Sequence, residues 1–95
     1  MPSKRYVISG LVQGVCFRAH TQREGRRLDL TGWVMNLPDG RVAILAQGDD
    51  EKLAAFERFL YEGPPGARVE KVEVKEAKPD ESLSNFEIRF YHPSG

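Results

Sequence analysis

The sequence has a single cysteine, Cys16, and no excess of charge of either sign. One cysteine excludes an internal disulfide and any zinc site built from several cysteines. The 14 basic and 14 acidic residues cancel, so no overall field draws the chain to nucleic acid or to a membrane surface. We therefore expect neither a nucleic-acid partner nor a membrane partner.

Long apolar segments are absent as well. No apolar run approaches the roughly 18–20 residues that are needed to cross a bilayer. The first five residues lead straight into an alternating strand and contain no apolar signal core before a cleavage site. These absences predict a cytoplasmic protein.

The composition is that of a soluble globular protein, with 40% hydrophobic and 29% charged residues. A chain of 95 residues buries somewhat over roughly 60% of its unfolded surface, enough for one helix-on-sheet core. The sequence therefore predicts a single domain over residues 1–95.

Hydrophobic periodicity predicts five strands. Four of them cover residues 5–11, 31–37, 41–47 and 69–77. In a short last strand, Phe86, Ile88 and Phe90 alternate with charged residues. Residues 92–95 are predicted to be a loose tail.

Two helices are predicted between these strands. The first covers residues 17–28, although Gly25 weakens its interior. The second begins at Asp49 or Asp50, which caps it, and ends at residues 63–66, Gly-Pro-Pro-Gly. Its buried face is marked by Leu53, Phe56 and Leu60 at helical spacing.

The segment Leu37-Pro38-Asp39-Gly40 predicts a tight turn, because proline presets φ and glycine accepts a left-handed conformation. The second and third strands should therefore form a hairpin. Residues 42–46 of the third strand are apolar on both faces, which is typical of a central strand.

The order of elements is strand, helix, strand, strand, helix, strand and one short extra strand. Two right-handed crossovers in this order place both helices on one face of an antiparallel sheet. The predicted fold is thus an α+β, ferredoxin-like sandwich. This architecture supports many functions and does not by itself indicate one.

A glycine turn joins the first strand to the first helix, with the sequence Gln13-Gly14-Val15-Cys16-Phe17-Arg18. Such a turn directs unpaired backbone N–H groups and the positive end of a helix dipole to one point. The Arg18 guanidinium could add a bidentate fork for a phosphate or carboxylate. The alternatives are a plain strand-to-helix turn and a surface arginine paired with a helix carboxylate.

Asn36 lies near the end of the second strand, against the usual propensity of asparagine. It is either a functional amide or the first residue of the turn before Pro38. The sequence pattern alone leaves both interpretations open.

Two blocks of the sequence resemble the acylphosphatase family. They are Gly10-Leu11-Val12-Gln13-Gly14-Val15-Cys16-Phe17-Arg18 and Leu30-Thr31-Gly32-Trp33-Val34-Met35-Asn36, the second followed by Asp39-Gly40. The resemblance extends over nearly the whole chain, and the paired blocks are more specific than either one alone. Leu11 departs from the basic or polar residue that many members carry there, and position 16 varies in the family.

The resemblance implies roles for these residues. Residues 12–18 would hold the phosphate through backbone amides and the Arg18 guanidinium, and Asn36 would position the attacking water. The substrate would be a small-molecule acyl phosphate, which is split into a carboxylate and inorganic phosphate. In this interpretation no cofactor, metal or covalent phosphoenzyme is required, and a monomer is the simplest expectation.

Elementary chemistry agrees with this arrangement. An acyl phosphate has a good leaving group, so its hydrolysis depends more on positioning and charge stabilisation than on a strong base. Arg18 would neutralise charge on the equatorial oxygens, and a neutral Asn36 can orient water without repelling an anion.

Other conspicuous residues have simpler interpretations. Cys16 could be a nucleophile at a helix N-terminus, but no histidine partner is evident and packing in the loop is favoured. His20 could be a base, yet two steps along a helix point to another side, which favours a solvent-facing residue. Trp33 is expected to pack in the sheet. The arginines at 23, 26 and 27 are expected to form a solvated face.

Two other classes of function compete with the hydrolase. One is an accessory acylphosphatase-like domain, as in the hydrogenase-maturation carbamoyltransferases, whose far longer chains favour a stand-alone enzyme here. The other is a binding module on the same fold. An RNA-recognition domain would stack bases on aromatic residues of its central strands, and residues 41–47 contain none. A metabolite regulator would need an apolar pairing edge, and none is evident.

Overall fold

The computed structural model describes residues 2–92, so the predicted tail, apart from His92, lies outside the described residues. The predicted order of elements is observed. The strands and helices are β1 (Ser3–Leu11), α1 (Phe17–Arg27), β2 (Thr31–Asn36), β3 (Val42–Gln47), α2 (Asp50–Glu62), β4 (Arg68–Glu76) and β5 (Phe86–Ile88).

The five strands form one sheet in the order β4-β1-β3-β2-β5. All six residues of β3 are buried, as expected for the central strand. The turn between β2 and β3 is also as predicted: the Gly40 N–H donates to the Leu37 carbonyl at 3.2 Å, and Gly40 has a φ of 94°. These features confirm the ferredoxin-like α+β sandwich.

The prediction of an antiparallel sheet holds for β1 to β4 and is wrong for the extra strand. β5 pairs parallel to β2, with Phe86 opposite Gly32 and Ile88 opposite Val34. The reason is the route of the chain. β4 is one edge strand of the sheet and runs opposite to β2. After β4 the chain crosses to the other edge of the sheet and reverses its direction. β5 therefore runs in the same direction as β2, its neighbour. The sheet is therefore mixed.

The segment that carries the chain to β5 crosses the face of the sheet opposite the helices. Gln47 holds this segment, because its side-chain amide donates to the Asp80 carbonyl at 2.8 Å and its Oε1 accepts from the Asp80 N–H at 3.0 Å. Leu83 packs there in a small cluster with Trp33 and Leu45. Trp33 is buried, as predicted for sheet packing.

Both helices pack on the other face of the sheet and bury the main core. The predicted α2 residues Leu53, Phe56 and Leu60 are all buried in it. The Phe56 ring lies 5.9 Å from the ring of Tyr6 and 5.6 Å from that of Phe86, measured between centroids. These aromatic contacts join α2 to β1 and β5.

Several predicted element ends are displaced by one or two residues, and two predictions about element ends need correction. Asp49 occupies the N-cap position of α2, but its side chain makes no capping hydrogen bond. The last strand ends at Ile88, so Phe90 lies beyond it. No helix within residues 2–92 combines the length and the apolarity required to cross a membrane.

Gly25 in α1 is explained by a close approach of the helix to β5. A Cβ atom at this position would lie 2.4 Å from a ring carbon of Phe86. The helix can approach the buried ring this closely only if residue 25 has no side chain. The glycine that weakens the sequence-based prediction of α1 is thus a packing requirement.

Gly25→Ala should reduce stability, although alanine is favoured over glycine inside helices by about 1 kcal/mol. Overpacking of a core typically costs about 1–3 kcal/mol, so we expect the free energy of unfolding, measured in urea, to fall by up to about 2 kcal/mol. In a Phe86→Leu background the penalty should shrink, because the ring is gone. A more stable Gly25→Ala single variant would contradict this account.

Candidate active site

The loop between β1 and α1 has a backbone that favours anion binding. Gly14 has a φ of 76° and Cys16, the N-cap residue of α1, a φ of 61°; Val15 between them has no positive φ. Alternation of this kind turns successive N–H groups toward a common point, in the concave arrangement called a nest. Gly14 meets this requirement without strain, whereas Cys16 adopts a conformation that is uncommon for a residue with a side chain.

The N–H groups of this loop are unpaired. Within residues 2–92, the backbone N–H groups of residues 14–19 donate to no protein acceptor, and the first bond at the start of α1 runs from the His20 N–H to the Cys16 carbonyl at 3.1 Å. Unpaired N–H groups at a helix N-terminus carry partial positive charge. Together they form a donor set suited to a phosphate.

Arg18 lies in the first turn of α1 and is half-buried. Its guanidinium carbon is 5.4 Å from the centroid of the Phe90 ring. No hydrogen bond or ion pair engages this guanidinium within the described part of the chain, so the fork that could bind a phosphate is free. The alternative of a surface arginine paired with a helix carboxylate is not observed.

Asn36 is the last residue of β2 and is partly buried. Its Oδ1 atom is buried and has no hydrogen-bond partner among the described residues. The alternative of a turn-starting side chain that bonds the turn backbone is therefore not observed. A buried acceptor without a partner is costly to stability, and the residue that carries it lines the cavity described below.

The sheet brings Asn36 to the β1–α1 loop. β1 and β2 both run antiparallel to β3, so they end at the same edge of the sheet. The loop that follows β1 therefore lies beside the last residue of β2. The loop and Asn36 are far apart in the sequence, but β1 and β2 flank the same strand, β3, and point in the same direction, so their ends lie close together.

Gln13 fixes the loop against the β2–β3 turn. Its Nε2 donates to the carbonyls of Leu37 and Arg41, each at 2.9 Å. In the same turn, the backbone N–H and then the side chain of Arg41 donate to the Asp39 carboxylate and lower its pKa. The Gln13 side chain thus holds the loop in place, and its amide is not directed at a ligand.

The β1–α1 loop, Arg18 and Asn36 border one cavity of about 480 Å³. Of the residues that the sequence assigns to the site, all but Val15 line it; Val15 packs against the main core instead. The cavity also has walls that the sequence does not predict. The lining residues are Val12, Gln13, Gly14, Cys16, Phe17, Arg18, Ala19, Asn36, Ile88 and Phe90.

The other residues considered from the sequence are Cys16, His20 and the arginines at 23, 26 and 27, and among the described residues none of them makes a hydrogen bond to the side chain of Arg18 or Asn36. Cys16 is exposed and His20 does not line the cavity. Arg27 pairs with Glu24 at 2.6 Å, and Arg26 bonds to Asn85, which agrees with a solvated arginine face. In residues 2–92, no group of three or more histidine, cysteine, aspartate or glutamate residues is arranged to hold a metal ion.

The family model described as Acylphosphatase matches residues 4–88. The chain belongs to the acylphosphatase family. It is 51% identical over 86 residues to an acylphosphatase of Anaeromyxobacter dehalogenans, covering 90% of this chain and 92% of that one. The sequence-based assignment to this family of hydrolases is therefore confirmed.

Solved structures give the same family and fold. A crystal structure of acylphosphatase from Bacillus subtilis matches with a TM-score of 0.89 and 38% identity, covering 94% of this chain and 99% of that one. T. kodakarensis HypF matches with a TM-score of 0.82 and 33% identity over 94% of this chain but only 12% of its own. The same fold thus occurs both as nearly a whole chain and as a small part of a long one.

Proposed function

We propose that this protein hydrolyses acyl phosphates to a carboxylate and inorganic phosphate, using the cavity at the β1–α1 loop. One observation carries the proposal. All residues of the free donor segment 14–19 except Val15 line one cavity, together with Asn36; this lining includes Arg18, whose guanidinium is free, and the Oδ1 of Asn36 has no partner among the described residues. The donors suit a phosphate, and the lone acceptor suits a water molecule.

Substrate binding depends on the loop. The N–H groups donate to the phosphoryl oxygens, and the Arg18 fork donates two further charge-assisted bonds. These donors are held in place before the substrate arrives, because Gln13 ties the loop to the β2–β3 turn. Charge on the equatorial oxygens in the transition state is therefore stabilised without rearrangement of the protein.

Water activation depends on Asn36. Its Oδ1 accepts a hydrogen bond from the water and leaves a water lone pair directed at phosphorus. A bond forms between phosphorus and the water oxygen, and the bond to the carboxylate oxygen breaks, so the carboxylate leaves with the electron pair. The water proton passes to a phosphoryl oxygen of the substrate. A neutral amide positions the water without repelling the anion, as a carboxylate would.

This scheme requires neither a strong general base nor a metal ion. The carboxylate is a good leaving group, so positioning and charge stabilisation supply most of the rate enhancement. Charge neutralisation comes from Arg18 and the loop N–H groups. The proposal includes a monomer that works in the cytoplasm on a small-molecule substrate.

A second candidate is an accessory domain that binds a phosphorylated compound without turnover. The similarity to a small part of HypF supports this alternative. It uses the same phosphate donors but gives Asn36 no role in attack on phosphorus. Turnover separates the two candidates, whereas phosphate binding does not.

The test is hydrolysis of benzoyl phosphate by the wild-type protein with a chelator present and no added metal. We expect turnover at the same rate with and without the chelator, with competitive inhibition by inorganic phosphate. A folded protein that binds phosphate but does not hydrolyse benzoyl phosphate would support the accessory domain instead. Loss of activity in chelator would contradict the metal-independent scheme.

A further inference from the structure

The cavity has two chemically different walls. The β1–α1 loop contributes N–H groups and a guanidinium, whereas the C-terminal side contributes only the apolar side chains of Ile88 and Phe90. Ile88 is partly buried against the core. Phe90 is 68% exposed, the largest exposed fraction among the large hydrophobic residues of the described chain.

Phe90 reaches the cavity because of the parallel pairing of β5. Val34 lies opposite Ile88, and the Arg89 N–H continues the pairing with a 2.9 Å bond to the Val34 carbonyl. Asn36 lies two residues after Val34, and Phe90 lies two residues after Ile88. Both therefore lie at the end of the sheet where β1 runs into the β1–α1 loop. An exposed aromatic residue on a protein surface is common, but this one borders the cavity that holds the free phosphate donors.

The Phe90 ring has one face toward Arg18 and much of its remaining surface in solvent. The guanidinium carbon lies 5.4 Å from its centroid, within range of a cation–π contact. The ring therefore both steadies the guanidinium and offers apolar surface next to it. A ligand with an anionic end and an apolar end matches this pair of neighbours.

From this arrangement we propose that Ile88 and Phe90 form the binding surface for the acyl group, and that the protein favours acyl phosphates with aromatic or bulky apolar acyl groups over acetyl phosphate. The proposal rests on the proposed function, because the phosphoryl group must occupy the loop donors. With the anionic end held there, the acyl group extends along the wall that lacks polar groups. Removal of the ring should then affect large acyl groups more than small ones.

The experiment compares kcat/KM for benzoyl phosphate and acetyl phosphate in the wild type and in Phe90→Ala. Intrinsic differences in leaving-group reactivity cancel when the ratio of the two values is compared between proteins. Loss of the cation–π contact should raise the inhibition constant of inorganic phosphate by about two- to fivefold and lower kcat/KM for both substrates by a similar factor. That loss cancels in the ratio of kcat/KM for benzoyl phosphate to kcat/KM for acetyl phosphate. Loss of the acyl contact should lower this benzoyl-to-acetyl ratio by a factor of roughly five to ten.

Two further variants separate the contributions of the ring. Phe90→Leu keeps apolar bulk without the aromatic face, so it should weaken phosphate inhibition while retaining more of the benzoyl-to-acetyl ratio than Phe90→Ala. Tyr91→Ala removes a neighbouring aromatic residue that is 46% exposed and does not line the cavity. We expect this control to leave the ratio and the phosphate inhibition constant unchanged.

An unchanged benzoyl-to-acetyl ratio in Phe90→Ala would overturn the acyl-binding surface and leave Phe90 as a residue that only positions Arg18. Hydrolysis of both substrates by the wild type would still uphold the proposed function in that case. A wild type that hydrolyses neither substrate would instead overturn the proposed function, and the acyl-binding surface with it.

Discussion

Asn36→Ala should lower kcat for benzoyl phosphate by roughly 10²–10³-fold, as is found when a positioned polar group is removed from an active site. The inhibition constant of inorganic phosphate should change little, because the loop donors and Arg18 are untouched. The split between turnover and binding follows from the position of the amide, which belongs to the end of β2 and not to the loop that carries the phosphate donors. Steady-state kinetics with phosphate as a competitive inhibitor measure both quantities.

The stability of the same variant provides an independent check. Because the buried Oδ1 has no hydrogen-bond partner among the described residues, its removal breaks no bond within residues 2–92. Asn36→Ala should therefore unfold at the same temperature as the wild type or higher, an exchange of activity for stability that is common at active sites.

Asn36→Asp is the matched variant for charge. Its carboxylate keeps an oxygen acceptor for the water but repels the phosphoryl group, so it should weaken phosphate inhibition where Asn36→Ala does not. Loss of phosphate affinity without loss of turnover in Asn36→Ala would overturn the assignment of the amide to water.

Arg18→Ala should remove charge-assisted hydrogen bonds worth about 1.5–3 kcal/mol each. For a fork that donates two bonds, kcat/KM should fall by roughly 10²–10⁴-fold. The phosphate inhibition constant should rise with it, in contrast to Asn36→Ala. The guanidinium makes no hydrogen bond or ion pair within the described chain, so little of this loss reflects damage to the fold.

Two other variants test whether position or charge alone is responsible. Arg18→Lys keeps the positive charge without the planar fork and should recover only part of the activity. Arg23→Ala removes an exposed arginine from the same helix, away from the cavity, and should leave kcat/KM and phosphate inhibition unchanged. Equal losses in Arg18→Ala and Arg23→Ala would show that only the overall charge of α1 matters.

Much of the fold could be predicted because it depends on local pattern. The apolar run at 42–46 indicates a central strand, and the Pro-Asp-Gly turn indicates the hairpin before it. The parallel direction of β5 could not be predicted, since a three-residue strand has the same alternation in either direction. Gly25 is similar: its small size is explained only by the Phe86 ring, 61 positions further along the sequence.

Part of the candidate site could likewise be predicted from the sequence, and part of it could not. Gln13, Gly14, Arg18 and Asn36 could be selected from the sequence through the resemblance to the acylphosphatase family, and their roles in catalysis stay predictions that the variants above test. The side-chain function of Gln13 could not be selected, because it bonds to two backbone carbonyls that any residues at 37 and 41 would provide. Phe90 carried a strand pattern and no signal for a site.

The sequence by itself determined the elements, the turn chemistry of the β1–α1 loop and the family, because these depend on neighbours within a few positions or on short motifs. Only the tertiary structure decided which of these parts meet. Arg18 and Asn36 border one cavity because β1 and β2 flank β3 and end at the same edge of the sheet. Phe90 joins them because β5 pairs parallel to β2, and pairing between distant strands is a property of the folded chain.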